Sequence, residues 1–227
     1  MKIAGLQKNS FVDYPGKICA VIFTPGCNMD CSYCHNRALI DGVHESITTV
    51  GEVLTFLEKR KGFLEGVVIS GGEPTLQKGL LPFFAELKRM GYSIKLDTNG
   101  TNPDVVEELL HAELIDYIAM DFKAPYEKYS EICGTEVDIR NIMKSVNVLI
   151  NSAVDYEFRT TLAPGLDKKD IVEIAKEISG ARLYVLQKCR NVSTDGIGYS
   201  AESIAYLVST INRMVRRVET RGITFCA

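Results

Sequence analysis

Six times along this chain a short, β-branched apolar run is followed by a stretch of helical periodicity, and that alternation constrains the fold more than any other feature. The runs cover about 17–23, 66–70, 93–98, 116–123, 156–162 and 182–187. The first, Lys17–Phe23, is β-branched and continuously apolar, as a strand covered on both faces is. The helical stretches lie near 49–58, 79–90, 103–111, 139–150, 168–178 and 201–218. The first carries the capping-box spacing Thr49-Val50-Gly51-Glu52, with Val50, Val53, Leu54 and Leu57 on one helical face. Pro103 suits the first turn of the third. Strand–helix alternation implies right-handed βαβ units and a parallel sheet. Six units are two short of a closed eight-stranded barrel, so the expected fold is α/β, a partial, open (β/α)6 TIM-like barrel.

At 227 residues and 46% hydrophobic, the chain can bury one substantial core, and one domain over 1–227 is expected. Within it, 1–16 reads as an irregular leader or a hairpin, ending in the turn Asp13-Tyr14-Pro15-Gly16, with 17–218 as the core and 219–227 as a tail. A net charge of −3 with both signs interspersed gives no broad field for nucleic acid. Arg213, Arg216, Arg217 and Arg221 read first as the solvated face of the last helix and second as a partner-docking patch. No apolar run approaches the length of a membrane span. The start Met1-Lys2-Ile3 lacks a signal-like apolar region, so a cytoplasmic setting is expected.

The loop after the first strand holds Cys27-Asn28-Met29-Asp30-Cys31-Ser32-Tyr33-Cys34. Thiolates select Fe–S clusters, zinc or Cu(I). A cubane [4Fe–4S] cluster usually takes four Cys ligands, so three would leave one iron open to a small molecule. Zinc is the competing reading, because His35 follows Cys34 and Cys3His sites exist. Adjacent residues rarely point at one ion, however, and no second Cys-x-x-Cys pair occurs. Cys133, Cys189 and Cys226 stand alone and read as small buried hydrophobes. Seven cysteines, an odd number, argue against a disulfide framework. His44 and His111 read as surface or packing residues, and His35 as a residue of the loop's rim.

The spacing Cys27-x-x-x-Cys31-x-x-Cys34, with Tyr33 before the third Cys, resembles the radical S-adenosylmethionine (SAM) superfamily. A longer string, Gly5-Leu6-Gln7-Lys8, Val12 through Lys17, and Thr24 through Asn36, resembles the activating proteins of anaerobic ribonucleoside-triphosphate reductase, which are glycyl-radical-enzyme activases. The superfamily likeness spans about Leu6 to Gln187; the narrower one rests mainly on the first 36 residues.

In open parallel sheets ligands bind at the carboxyl ends of the strands, and the suggestive residues fall there. After the second strand comes Gly71-Gly72-Glu73-Pro74, alone an ordinary strand-to-helix turn. The resemblance makes it the segment that meets the amino and methionyl parts of SAM. Asp97-Thr98-Asn99 and Asp121-Phe122-Lys123 end the third and fourth strands, where the acids could share a cation or cap helices. The resemblance implies a monovalent-cation site at Asp97, Thr98 and Asp121, with Lys123 facing the active site beside them. Arg159 inside the fifth strand is a costly buried cation unless paired. Its two readings are a partner for the SAM carboxylate and an internal ion pair. Weak adenine contacts fall to Leu186 and Gln187, and Tyr33, Asn36 and Asn99 complete the implied cofactor shell.

The resemblance implies that Cys27, Cys31 and Cys34 hold a [4Fe–4S] cluster whose open iron chelates SAM. One electron from a donor such as flavodoxin or ferredoxin then yields methionine and a 5′-deoxyadenosyl radical, which abstracts hydrogen from a glycine of anaerobic ribonucleotide reductase. Few acid or base roles remain beyond the cluster and SAM ligands, with Lys123 the one candidate catalytic side chain. Two alternatives stay open: a radical SAM enzyme acting on a small molecule, similar to 7-carboxy-7-deazaguanine synthase, and a non-enzymatic iron or zinc module.

Overall fold

The computed structural model describes residues 1–40, 48–189 and 199–223. Its eight strands form one sheet in the order β1 to β8: Gly5–Ser10, Cys19–Thr24, Gly66–Gly71, Ser93–Thr98, Tyr117–Asp121, Asp155–Leu162, Tyr184–Lys188 and Val218–Arg221. Only β1 runs antiparallel, against β2; every later neighbour is parallel. The first and last strands do not pair with each other, so the sheet curves without closing. The helices are α1 Arg37–Ile40, α2 Val50–Glu58, α3 Leu80–Arg89, α4 Pro103–His111, α5 Tyr129–Cys133, α6 Ile139–Asn151, α7 Lys168–Glu177 and α8 Ala201–Ile211.

The local chemistry follows the pattern in the chain. Thr49 and Glu52 form the reciprocal capping box of α2, with Glu52 N–H donating to Thr49 Oγ1 at 3.2 Å and Thr49 N–H to Glu52 Oε2 at 2.7 Å. Asp167 and Asp170 cap α7 in the same way. Alternation along the parallel strands splits the core in two. One set faces the helices and forms the large apolar layer of Ile22, Ile69, Ile94, Leu96, Ile118, Met120, Phe158 and Leu186. The other faces the concave side, where Tyr14, Cys19, Val21, Val68, Tyr117 and Ala119 plug the lower end.

Three expectations are corrected. Of the two readings of 1–16 the irregular leader gives way to the hairpin, because Gly5–Ser10 pairs antiparallel with β2 as an edge strand. The last helix ends at Ile211 rather than 218, and Val218–Arg221 joins the sheet beside β7, so the tail begins inside a strand. The C-terminal arginines are therefore not a helix face. Arg217 pairs with Glu219 at the start of β8, and Arg221 turns inward. Cys226 and His44 lie outside the described residues.

Candidate active site

The carboxyl ends of β2 to β8 surround a cavity of about 440 Å³, lined by Cys27, Cys31 and Cys34 together with Asp97, Asp121, Lys123, Arg159 and Gln187. Tyr33, Asn36, Gly71, Gly72, Thr98 and Asn99 complete the predicted lining. Glu73, Pro74 and Leu186 do not reach it. Their strand and turn positions turn them into the protein, where Glu73 and Leu186 are 0% exposed.

The cysteine loop is pinned from three sides. Gly26 N–H donates to Leu39 of α1 at 2.7 Å, Asp30 N–H donates to the Cys133 carbonyl of α5 at 2.8 Å, and Asn28 exchanges bonds of 2.9 Å with Asn99 and Thr101 beyond β4. The fourth support is the Gly-Gly turn. Gly72 N–H donates to the Thr24 carbonyl at 2.9 Å and Glu73 N–H to the Gly26 carbonyl at 2.8 Å. A Cβ on Gly72 would stand 1.9 Å from that Gly26 oxygen, and one on Gly71, at φ +119°, would stand 2.4 Å from Thr24 backbone. Both glycines are thus required by backbone-to-backbone packing against the loop that carries the thiols.

Glu73 fixes the same corner from within. Its Oε1 accepts from Thr75 Oγ1 at 2.5 Å and Thr98 Oγ1 at 2.7 Å, and its Oε2 from Asn99 N–H at 2.6 Å. Burial pushes its carboxyl up, and these donors oppose the shift. The carboxylate expected to face the cavity instead ties the ends of β3 and β4 together.

The three thiols face one cavity, and none of the described cysteines forms a disulfide. Donors are aimed at the sulfurs: Met29 N–H at 3.4 Å and Asn99 Nδ2 at 3.8 Å from Cys27 Sγ. Burial pushes the Cys27 and Cys34 thiols up. Cys31 goes the other way, because the Cys133 thiol donates to its sulfur, with further help from Lys123 and the Tyr33 hydroxyl. Three soft donors lining one cavity, with hydrogen bonds to the Cys27 sulfur, suit an Fe–S cluster. A closed single-ion zinc site needs four donors around one point; among the described residues no three His, Cys, Asp or Glu side chains are gathered that tightly.

In the same cavity, Arg159 of β6 reaches Asp121 Oδ1 at 2.8 Å through Nε and Asp97 Oδ2 at 3.3 Å through Nη1. Lys95 lies 3.1 Å from Asp97 Oδ1 and Lys123 3.0 Å from Asp121 Oδ2. Burial raises both carboxyls, but the cations outweigh it, holding Asp97 below the ordinary range and bringing Asp121 to about 2. Neither aspartate caps a helix; the cap position of α4 is Asn102. The alternation of β4 and β5 is what turns both acids inward.

Sequence reasoning missed several lining residues. Ser70 donates to Asp97 at 3.2 Å, and Thr161, Lys188, Cys189 and Arg221 also line the cavity. Arg221 grips the fully buried Glu157 through two bonds of 2.6 and 2.7 Å, and Tyr117 Oη donates to the same carboxylate at 2.9 Å. The period-2 placement of Glu157 and Arg159 on one face of β6 was the available signal; the position of Arg221 depends on an unforeseen strand.

The molecule is thus an open, mostly parallel α/β barrel with a cavity at the strand ends into which three free cysteines face. The sequence profile of the Radical SAM superfamily matches residues 21–178. The chain belongs to the radical SAM superfamily, among its glycyl-radical-enzyme activating proteins. A protein of Methanocaldococcus jannaschii named as a glycyl-radical enzyme activating enzyme is 41% identical over 193 residues, 82% of this chain and 79% of that one. The pyruvate formate-lyase 1-activating enzyme of Escherichia coli is 31% identical over 179 residues, 74% and 70% of the two chains. The backbone matches that of SuiB from Streptococcus suis bound to the precursor peptide SuiA with a TM-score of 0.71 at 15% identity, over 90% of this chain and 48% of SuiB. It matches a domain of a pyruvate-formate lyase-activating enzyme from Bacteroides vulgatus with a TM-score of 0.57 at 19% identity, over 70% and 99%. At these identities the structures speak for the fold alone.

Proposed function

We propose that this protein activates a glycyl radical enzyme, anaerobic ribonucleoside-triphosphate reductase, by generating its backbone glycyl radical. The observation that carries the reading is one cavity lined both by the three thiols and by a charged cluster. When bound, a [4Fe–4S] cluster with one open iron would supply the electron that splits SAM into methionine and a 5′-deoxyadenosyl radical.

The chain's own residues hold and orient. Cys27, Cys31 and Cys34 would ligate the cluster. The Gly71-Gly72 backbone lets a cosubstrate approach the loop closely, and the Asn36 amide, donating to the Gly71 carbonyl at 3.3 Å, keeps that backbone in place. Arg159 and Lys123 present positive charge suited to the SAM carboxylate, and Gln187 offers a polar contact on the adenine side. Burial of the apolar floor by Tyr14 and Tyr117 keeps water from entering at the lower end. The unpaired sheet edges leave the barrel open at the side, which a partner's glycine-bearing loop needs in order to reach the site. Free thiols suit the reducing cytoplasm, where a flavodoxin or ferredoxin would be the electron source.

The partner is tested by anaerobic mixing of reconstituted, reduced protein with SAM and the reductase, and separately with pyruvate formate-lyase. A glycyl-radical doublet by electron paramagnetic resonance on the reductase alone is the expected outcome. SAM cleavage without a radical on the reductase would refute the partner.

A further inference from the structure

We infer that the strand-end acids of this chain take no monovalent cation, because Arg159 already occupies the position between them. The inference deepens the proposed SAM site and rests on that reading. Asp97 and Asp121 end adjacent strands, and the family likeness assigns them, with Thr98, to an alkali-metal ion. The geometry disagrees. Arg159 bridges the two carboxylates at 2.8 and 3.3 Å, while Lys95 and Lys123 take their outer oxygens at 3.1 and 3.0 Å. Each of the four carboxylate oxygens therefore lies within 3.3 Å of a protein cation, and only Asp97 Oδ1 receives no hydrogen bond, because the Lys95 ammonium beside it donates to the Asp13 carbonyl at 2.5 Å.

Charge gives the same answer as distance. Three cations against two anions leave one net positive charge in a cluster whose side chains are only 3 to 30% exposed. An entering potassium or sodium ion would shed part of its hydration to meet like charge and three hydrogen-bonded oxygens, with Asp97 Oδ1 alone unbonded and Lys95 already 3.1 Å from it. The third expected ligand is engaged too: the Thr98 hydroxyl donates to Glu73 at 2.7 Å and accepts from Gly100 N–H at 3.1 Å. Arginine suits this place because its planar fork spans two carboxylates at once, as a spherical ion does, without exchanging with solvent. The surplus positive charge then faces the cavity, where it complements a carboxylate.

The decisive measurement is an ion swap on the full chain. Thallium(I), a potassium surrogate, is titrated into the protein without SAM and followed by its NMR linewidth. SAM affinity of the cluster-loaded protein is then compared in potassium, sodium and choline salts at fixed ionic strength. We expect no saturable thallium binding and affinities within about twofold of one another. Saturable binding, or SAM affinity roughly tenfold weaker in choline, overturns the inference. Failure to bind SAM in every salt would instead overturn the functional reading beneath it. The Arg159→Gln variant is expected to gain the thallium site that the natural chain lacks. A folded variant that binds no thallium would show that Arg159 is not what fills the place, and the ion swap on the natural chain decides the question even if the variant does not fold.

Discussion

Replacing Gly72 with alanine tests how the thiol loop is held. The added Cβ would lie 1.9 Å from the Gly26 carbonyl oxygen and 2.5 Å from its carbon, so that carbonyl must retreat to about 3.0 Å. Two hydrogen bonds span the same contact, Gly72 to Thr24 at 2.9 Å and Glu73 to Gly26 at 2.8 Å. Losing or stretching both costs about 1 kcal/mol each, and forcing a buried contact apart adds roughly 1–3 kcal/mol. A total of about 3–5 kcal/mol lowers the melting temperature of a chain this long by about 6–20 °C. Thermal unfolding by circular dichroism of the cluster-free protein reads this directly. The displaced carbonyl lies one residue before Cys27, so the variant should also bind iron poorly on reconstitution. Melting within about 1 °C of the natural protein would refute the packing argument.

The remaining predictions concern buried charge. Arg221→Leu leaves Glu157 buried without its cation, and since Arg221 is a third exposed the loss should fall near the lower end of the range for a broken buried pair, about 3 kcal/mol. Adding Glu157→Gln should recover most of it in chemical denaturation, and a double variant as unstable as the single one would refute the pairing. Glu177, half-buried at the end of α7, accepts from Tyr126 N–H at 3.0 Å, and burial raises its carboxyl to about 7. Its folded value lies above its unfolded one, so the folded state binds the extra proton between about pH 4.5 and 7, and stability falls as pH rises through that window. After discounting for solvent screening, Glu177→Gln should gain about 1 kcal/mol at pH 8 and nothing below pH 4.5. A gain that is constant with pH would contradict the assignment.

Much of this fold was legible because its signals are local. Apolar β-branched runs, the Thr49–Glu52 capping box and the thiol spacing each report themselves within a few residues. The edge strands were not. Gly5-Leu6-Gln7-Lys8-Asn9-Ser10 has no apolar alternation, and it becomes a strand only by pairing with β2. At the other end, Val215 and Val218 continue the helical stripe of Ile204, Leu207, Val208 and Ile211, so periodicity runs past the true end of α8. The helix stops because the next residues bond elsewhere: Gly180 N–H donates to Met214 and Arg216 N–H to Ala181, at 2.9 Å each. Glu73 shows the same limit within the site. Its position after β3 was readable, but its partners Thr98 and Asn99 come from another strand, so nothing local indicates that its carboxylate is spent on structure. Arg159 was readable as a cation needing partners, and the structure supplies them in Asp97 and Asp121.

The central claim is that Cys27, Cys31 and Cys34 hold a cluster that cleaves SAM. Anaerobic reconstitution followed by metal and sulfide analysis, with chromatography of the SAM products after reduction, tests it most directly. The account predicts about four irons and four labile sulfides per chain, with 5′-deoxyadenosine formed by the natural protein and none by Cys31→Ala. One zinc per chain without sulfide, or undiminished cleavage by the Cys31→Ala variant, would contradict it.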